Sequence, residues 1–435
     1  MGWFKVLVAL GGVVLAAHAS ALQPLDEFLR GARANGADDA EARALRSQSA
    51  AEATAALGRA LPRLSLKAHY TRNQYRASIQ LPAAGGGAPS AVTITPWDEV
   101  DGAATLTVPL VDLSSFAGIA AARTAAAAAA SEAEATDLRV QATVSEDYYQ
   151  LIADGALVDS SRRALQVARA SLGIAERRYE AGAAALLEVD RARAEVERNV
   201  QQLAASELQV SLAARALESA TGVRPELEGQ LAFGDDLHEE PPLEQFQSPD
   251  DRIPSIAGAN RHRISSEQTA TAERWSLVPS LGASVTEQTS NVKGFSGRET
   301  FWQAGVALTW AFDLTTVANI RAQAAGADAA RAAEQRARLA ARDDIHRAWM
   351  TVETAIARSR SARVGAEVSA RASAIALEQY QAGTATQLDL LQAQRDAFTA
   401  DAARIQADAD LVNSRAQLRI AAGESLLAGA AGRAP

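Results

Sequence analysis

Two stretches of the chain read almost alike: Tyr179-Glu180-Ala181-Gly182-Ala183-Ala184-Ala185-Leu186-Leu187-Glu188 and Tyr380-Gln381-Ala382-Gly383-Thr384-Ala385-Thr386-Gln387-Leu388-Asp389. The offset between them is 201 residues, and it holds without a gap from about Val144/Ile345 to Gly222/Gly423. Each copy lies between two Ala-rich helical patterns, and its Gly supplies the backbone freedom to reverse direction. Each half of the chain therefore contains a long helical hairpin, with its tip at Gly182 or Gly383.

The helices that lead into the tips are expected over Leu113–Ala181 and Leu314–Ala382, each about 100 Å long at 1.5 Å per residue. The return helices, Leu186–Ala220 and Gln387–Ala421, are about half that length. Other segments make up the difference: Leu25–Leu61, ended by Pro62, and Ile256–Leu277. The first return helix carries a seven-residue apolar row of Val189, Val196, Leu203, Val210 and Leu217. Its counterparts are Leu390, Ala397, Arg404, Leu411 and Leu418. A sustained heptad predicts coiled-coil packing against a neighbouring helix.

Ahead of each long helix the period changes from helical to two. Leu64, Leu66, Ala68 and Tyr70 alternate with polar residues, and Leu106, Val108 and Leu110 do so in a second strand that ends near Asp112. Between them Ala83–Pro96, with Gly85-Gly86-Gly87, reads as an exposed loop. In the second half Leu281, Ala283 and Val285 form one strand. The clearest strand of all places Trp302, Ala304, Val306, Leu308, Trp310 and Phe312 on every second position. Trp302 and Trp310 are roughly 26 Å apart along a strand, the scale of a bilayer's apolar band with aromatics at both edges. Four strands cannot close a membrane barrel, since about eight is the minimum, and open edges are forbidden in lipid. The chain is thus expected to oligomerise.

Length alone suggests two or three domains, but the duplication argues for one architecture built from two similar halves. The expected segmentation is a signal peptide over 1–21 and a first repeat over 22–222, with its strand hairpin at about 63–112. A Pro-rich, acidic connector follows over 223–254. A second repeat spans 255–423, with strands at about 280–313, and a tail covers 424–435. Lys5, the apolar run Val6–Ala17 and Ala19-Ser20-Ala21 make the secretory signal. No later segment reads as a transmembrane helix. With no Cys there is no disulfide and no lipid-bearing N-terminal Cys. A net charge of −9 argues against nucleic acid as a partner.

No catalytic constellation stands out. The histidines, His18, His69, His238, His262 and His346, lack metal-ligand spacing, and there is no nucleophile elbow or phosphate loop. No cofactor, metal or enzymatic activity is expected.

The signal peptide, the doubled strand-plus-helical-hairpin plan and the Tyr-x-Ala-Gly tips followed by Leu and an acid resemble the TolC-type outer-membrane efflux proteins. The likeness covers Leu22 to about Ala422. One departure lies after the second and fourth strands. Many members carry a Gly pair behind the Asp, whereas this chain has Asp112-Leu113-Ser114-Ser115 and Asp313-Leu314-Thr315-Thr316.

The resemblance implies a mixed α and β membrane protein that works as a homotrimer. Each chain would give four strands to one transmembrane β-barrel in outer-membrane lipid, joined to a coiled-coil α-helical barrel that forms a tunnel across the periplasm. The tips would close until a periplasmic adaptor protein and an inner-membrane transporter, of the RND or ABC type, engage them. It also implies that Asp389 lines the periplasmic entrance, with Gln392 where a second acid is common. Glu188 and Tyr380 match latching positions, and Ala385 stands where a latching Arg is found. Gly182, Ala183, Ala184, Ala185, Leu186 and Leu187, with Gly383, Thr384, Ala385, Thr386, Gln387 and Leu388, would meet the adaptor. Trp302 and Trp310 would form the aromatic girdle. Two alternatives stay open: the outlet of a type I protein secretion system, and a non-channel coiled-coil protein of the cell envelope.

Overall fold

The computed structural model describes residues 22–81, 90–227, 235–247, 249–293 and 297–427. The signal sequence, Gly85-Gly86-Gly87, parts of the connector and the end of the tail lie outside the described residues. Among the described residues the helices and strands follow in the order α1 (Leu25–Asn35), α2 (Ala37–Arg59), β1 (Arg63–Arg72), β2 (Ala77–Leu81), β3 (Ser90–Thr95), β4 (Asp98–Val111), α3 (Leu113–Glu180) and α4 (Leu186–Thr221). The second half contributes α5 (Pro254–Trp275), β5 (Ser280–Ser290), β6 (Thr300–Thr309), α6 (Leu314–Gln381) and α7 (Gln387–Ala421). The chain divides into two compact units. One holds the residues up to Ala40, Thr136–Ser248 and those from Arg342 onward; the other holds Glu41–Ala135 and Pro249–Ala341.

In the second unit β1, β4, β5 and β6 form one antiparallel sheet in the order β1-β4-β5-β6. The register gathers most apolar residues on one face, with Glu287 the exception. Leu64, Leu106, Val285 and Ala304 lie side by side, as do Leu66, Ala104, Glu287 and Trp302. On the other face Ser65, Thr105, Thr286 and Gln303 align, with Thr105 Oγ1 and Thr286 Oγ1 3.1 Å apart. One face is therefore apolar and one polar, because side chains alternate across the pleat. Among the described residues β1 and β6 are the outer strands and pair on one side only.

Both strand-to-helix junctions use one device in place of the Gly pair. Asp112 accepts from Ser115 N (3.0 Å) and Ser115 Oγ (2.6 Å), and Asp313 accepts from Thr316 N (2.7 Å) and Thr316 Oγ1 (2.9 Å). A short acid ahead of a helix with a hydroxyl residue three on satisfies the first free N–H groups. Hydrogen bonding to Thr316 holds the Asp313 carboxyl below the usual range. In the same unit Glu334 of α6 is buried and takes Asn260 Nδ2 (2.8 Å) and Arg263 Nε (2.5 Å) from α5, which fixes α5 beside α6.

In the first unit the core gathers Phe28, Leu29 and Ala32 of α1, Val144, Tyr148 and Leu151 of α3, and Leu217 of α4. Val189, Val196 and Leu217 of the expected heptad row are buried against α3, and Leu411 and Leu418 pack on Val352 and Ile356 of α6. The break in the row at Arg404 is filled by charge: its guanidinium reaches Asp401 (2.7 Å) and Asp408 (3.4 Å). The two hairpins also meet, since Ala153 of α3 packs on Ile405 and Ala409 of α7.

Four expectations need correction. Leu25–Leu61 is two helices, broken at Gly36, whose ψ of 135° leaves the helical region. The segment read as loop contains β3, paired with β2 in a separate two-stranded sheet; its run Val92-Thr93-Ile94-Thr95 is β-branched throughout and favours strand. β6 ends at Thr309, so Trp310 and Phe312 lie just past it, and Trp310 Nε1 donates to Leu277 O at 3.1 Å. Finally, α3 is long and apolar enough by composition to cross a membrane. Its alanines raise the mean hydropathy without supplying large lipid-seeking side chains.

Gly31 offers a direct check on the α1 contact. A Cβ there would stand 2.5 Å from Val223 Cγ2 and 2.9 Å from the Thr221 carbonyl oxygen. Gly31→Val is expected to cost about 1–3 kcal/mol by overpacking. The urea midpoint for loss of helical circular dichroism measures it, and an unmoved midpoint would show that α1 is not held there.

Candidate functional site

The two hairpin tips are built by the same turn. In the first, Gly182 N–H donates to Tyr179 O (2.9 Å) and Ala183 N–H to Arg178 O (2.8 Å). In the second, Gly383 N–H donates to Tyr380 O (3.1 Å) and Thr384 N–H to Gln379 O (2.9 Å). Gly182 and Gly383 have φ of 70° and 76°. No described residue lies within 4 Å of a Cβ built on either, so glycine is required there by conformation and not by space.

The tips then diverge for a reason legible in one residue pair. The N-cap of α7 is Thr386, which bonds Asp389 reciprocally: Asp389 N–H donates to Thr386 Oγ1 (3.2 Å) and Thr386 N–H to Asp389 Oδ2 (3.0 Å). Thr386 Oγ1 is also 2.6 Å from Asp389 Oδ2. This capping box holds the Asp389 carboxyl below the usual carboxylate range, chiefly through the Thr386 hydroxyl. Asp389 is exposed, as is Gln392, which donates to Asp396 at 2.9 Å. The depressed value adds stability above the unfolded pKa of about 3.9, lost only as pH falls through the folded one. At neutral pH Asp389 is therefore a fixed negative charge.

The N-cap of α4 is Ala185, which has no side chain to cap with. Glu188 is left free and reaches across to the other hairpin. Tyr380 OH donates to Glu188 Oε2 at 2.9 Å, and Gln387 Nε2 donates to the Glu188 carbonyl. Tyr380 is 1% exposed, whereas its counterpart Tyr179 is 45% exposed. The Arg178 guanidinium lies 4.5 Å from the Tyr380 ring centroid and donates to the Tyr380 carbonyl. Burial first, and then Glu188, push the Tyr380 phenol up to about 12, so it stays a neutral donor.

The structure thus brings Glu188 and Tyr380 together but leaves Ala385 without a side-chain partner among the described residues. Arg178 and Gln387 complete the cluster. The repeat gives no signal for either, since Arg178 has Gln379 at the equivalent position and Gln387 has Leu186. Of the expected adaptor-facing residues, Leu186, Leu187 and Leu388 are more than half exposed, while Gln387 is buried.

Above the tips, polar pairs join the hairpins. Arg395 bonds the buried Glu195 (2.5 Å), Ser160 donates to Asp401 (2.6 Å), and Gln394 donates to Ser171 (2.9 Å). Asp235, Asp236 and His238 of the connector also converge, with ligand atoms within 4.8 Å of one another, which their spacing did not suggest. Arg415 occupies that place. It binds Asp235 at 2.9 Å and stands 3.0 Å from His238 Nε2, a cation where a metal would need a free lone pair. On the sheet, Trp302 and Trp310 are 73% and 65% exposed.

The sequence matches the model of the outer membrane efflux protein family over residues 29–223 and 251–424. No curated protein matches it. Among solved structures it is similar to the Campylobacter jejuni CmeC outer membrane channel, with a TM-score of 0.79, 19% identity, and coverage of 92% of this chain and 86% of that one. It is likewise similar to the Vibrio cholerae outer membrane protein VceC (TM-score 0.76, 18% identity, 92% and 96% covered). The open state of the Neisseria gonorrhoeae MtrE outer membrane channel gives a TM-score of 0.74, 18% identity, and 93% and 90% coverage. At these identities the likeness is one of fold.

Proposed function

The chain belongs to the outer membrane efflux protein family, and from that membership we propose that it is the passive exit duct of a tripartite efflux pump. Three copies join their sheets, β6 of one beside β1 of the next, into a twelve-stranded barrel in the outer membrane. The helical hairpins form the periplasmic conduit. An adaptor protein docks at the tips, and an inner-membrane transporter supplies the cargo and the energy.

One observation carries this reading. The sheet has two unpaired edges and an apolar face with Leu64, Leu66, Trp302, Val306 and Leu308 exposed. A lone chain could not keep that face in water nor those edges in lipid, and closure by further copies satisfies both. Asp389, exposed and charged, is the entrance residue. Three copies around a narrow opening would favour cations. Glu188, Tyr380, Arg178 and Gln387 form the latch between the two hairpins of one chain.

The test is purification in detergent followed by planar-bilayer recording. The expected result is a heat-modifiable trimer that conducts, with a preference for cations that falls in Asp389→Ala. A monodisperse monomer with no channel activity would overturn the duct. A conducting trimer whose selectivity ignores Asp389→Ala would remove that residue from the entrance.

A further inference from the structure

The cleft between the two hairpins of one chain is held by polar contacts. Its α7 side presents Asp401, Ile405, Ala409 and Asn413, four residues apart on one stripe. Asp401 takes Ser160 (2.6 Å) and Arg163 (3.2 Å) of α3, Asn413 accepts from Ser145 at 3.4 Å, and Ile405 and Ala409 pack on Ala153. The offset of 201 residues carries this stripe onto α4 as Val200, Ala204, Leu208 and Leu212. It carries the α3 partners Ser145, Ala153, Ser160 and Arg163 onto α6 as His346, Thr354, Ser361 and Val364. Every residue of these two copied stripes is exposed, and Leu208, Leu212 and Val364 are more than half so. The ion pair of Arg163 with Asp401 thus has Val364 and Val200, two apolar residues, as its counterpart. Beside the α6 stripe runs a groove of about 1000 Å³ lined by His346 and Thr354 and, from α7, Asn413. Side chains four apart on a helix form the ridge that packs into such a groove.

We propose that the Val200–Leu212 stripe of α4 seats on Thr354, Ser361 and Val364 of α6 in a second copy of this chain, in the register that the repeat sets, as a seam that stays shut when the tips open. This rests on the duct reading above and adds to it which helices meet and by what chemistry. The occupant follows from the duplication. Within the chain α7 already lies on α3, and the same contact made again, α4 on α6, needs another copy, because both stripes stay exposed in this one. Such a contact is head-to-tail and repeats around a ring. Its chemistry also fixes the order of the hairpins. Were α7 of one copy to sit on α6 of another, Asp401 would lie on Val364, without Ser160 or Arg163. The mismatch costs a desolvated charge, so polar stripes meet within a chain and the uncharged α4 stripe meets its match between chains. Burial holds the seam between copies, and salt does not screen burial. The polar cleft inside each chain, which runs down to Tyr380 and Glu188, is then the joint free to part.

The chain has no Cys, so thiols can be placed in pairs. The full-length chain carrying Leu208→Cys with Thr354→Cys, or Val200→Cys with Ser361→Cys, is oxidised in detergent and run, heated, on a non-reducing gel. A disulfide needs Cβ atoms about 3.8 Å apart. The pair Val200→Cys with Thr354→Cys is out of register by two helical turns, about 12 Å, and serves as the control. The expected result is covalent dimers and trimers from at least one in-register pair, in low salt and at about 1 M alike, and none from the control. In planar bilayers the linked channel should carry the same current before and after reduction. A heat-modifiable trimer that links at neither in-register pair, links equally in the control, loses the link at high salt or changes its current on reduction would overturn the seam and leave the duct standing. A chain that stays monomeric before any oxidation would remove the duct, and the seam with it.

Discussion

Arg415→Met is expected to cost about 3–5 kcal/mol of the first unit's stability. Arg415 of α7 is buried, as are the two carboxylates it holds on the connector, Asp235 at 2.9 Å and Glu240. It also donates to His238 O at 2.6 Å. Removing the cation leaves two buried acids facing one another, and the desolvation of each is then uncompensated. Around this point the connector is held by apolar contact as well. Leu237 and Phe246 pack on Val352, Ile356, Leu411 and Leu418, and Trp349 Nε1 donates to Pro241 O at 3.0 Å. The connector is therefore a fixed strap on α6 and α7, not a free linker. The loss should appear as rapid protease cleavage within 235–247 at urea concentrations the parent survives. Adding Asp235→Asn and Glu240→Gln to Arg415→Met should restore most of the resistance, since the buried charges go together. Equal cleavage in parent and Arg415→Met would show that the strap is held without its ion cluster.

Opening of the tips is the second large effect. Arg178→Ala with Tyr380→Phe removes a cation–π contact and a hydrogen bond to a charged acceptor, each worth about 1–2 kcal/mol when partly buried. Together that shifts a closed-to-open equilibrium by tenfold or more at about 1.4 kcal/mol per decade. The expected result is a several-fold higher conductance of the double variant, with trimer and barrel intact. Tyr380→Phe alone should do less, because Arg178 still grips the ring and the Tyr380 carbonyl. The pH dependence follows from the raised phenol. The Tyr380–Glu188 hydrogen bond contributes fully below the unfolded tyrosine value near 10 and is lost as pH rises through about 12. Acidification over the range where histidines titrate should leave this hydrogen bond in place. Unchanged conductance in the double variant would mean that Arg178 and Tyr380 bind each other without closing anything.

Much of this protein is local pattern, and the sequence alone determines that part. The helical hairpins, the glycine turns at 182 and 383, and the alternation of β1, β4, β5 and β6 each depend on residues within a few positions of one another, where period and backbone preference act directly. The Asp112 and Asp313 caps are equally local, although the expected Gly pair hid them. The β-branched run of β3 was local too, but the prolines flanking it read as loop. What the sequence could not decide is which of two similar copies does which task. Tyr179 and Tyr380 occupy equivalent positions, and only the packing buries one and exposes the other. The choice follows from what stands opposite: Arg178 on one side, and Glu188, freed because Ala185 cannot cap α4, on the other. Arg415 against Asp235 and Glu240 is the same kind of fact. Its partners lie about 180 residues away, and no period in the chain encodes them; they meet because the strap and α7 pack together and a buried charge must find its counter-charge.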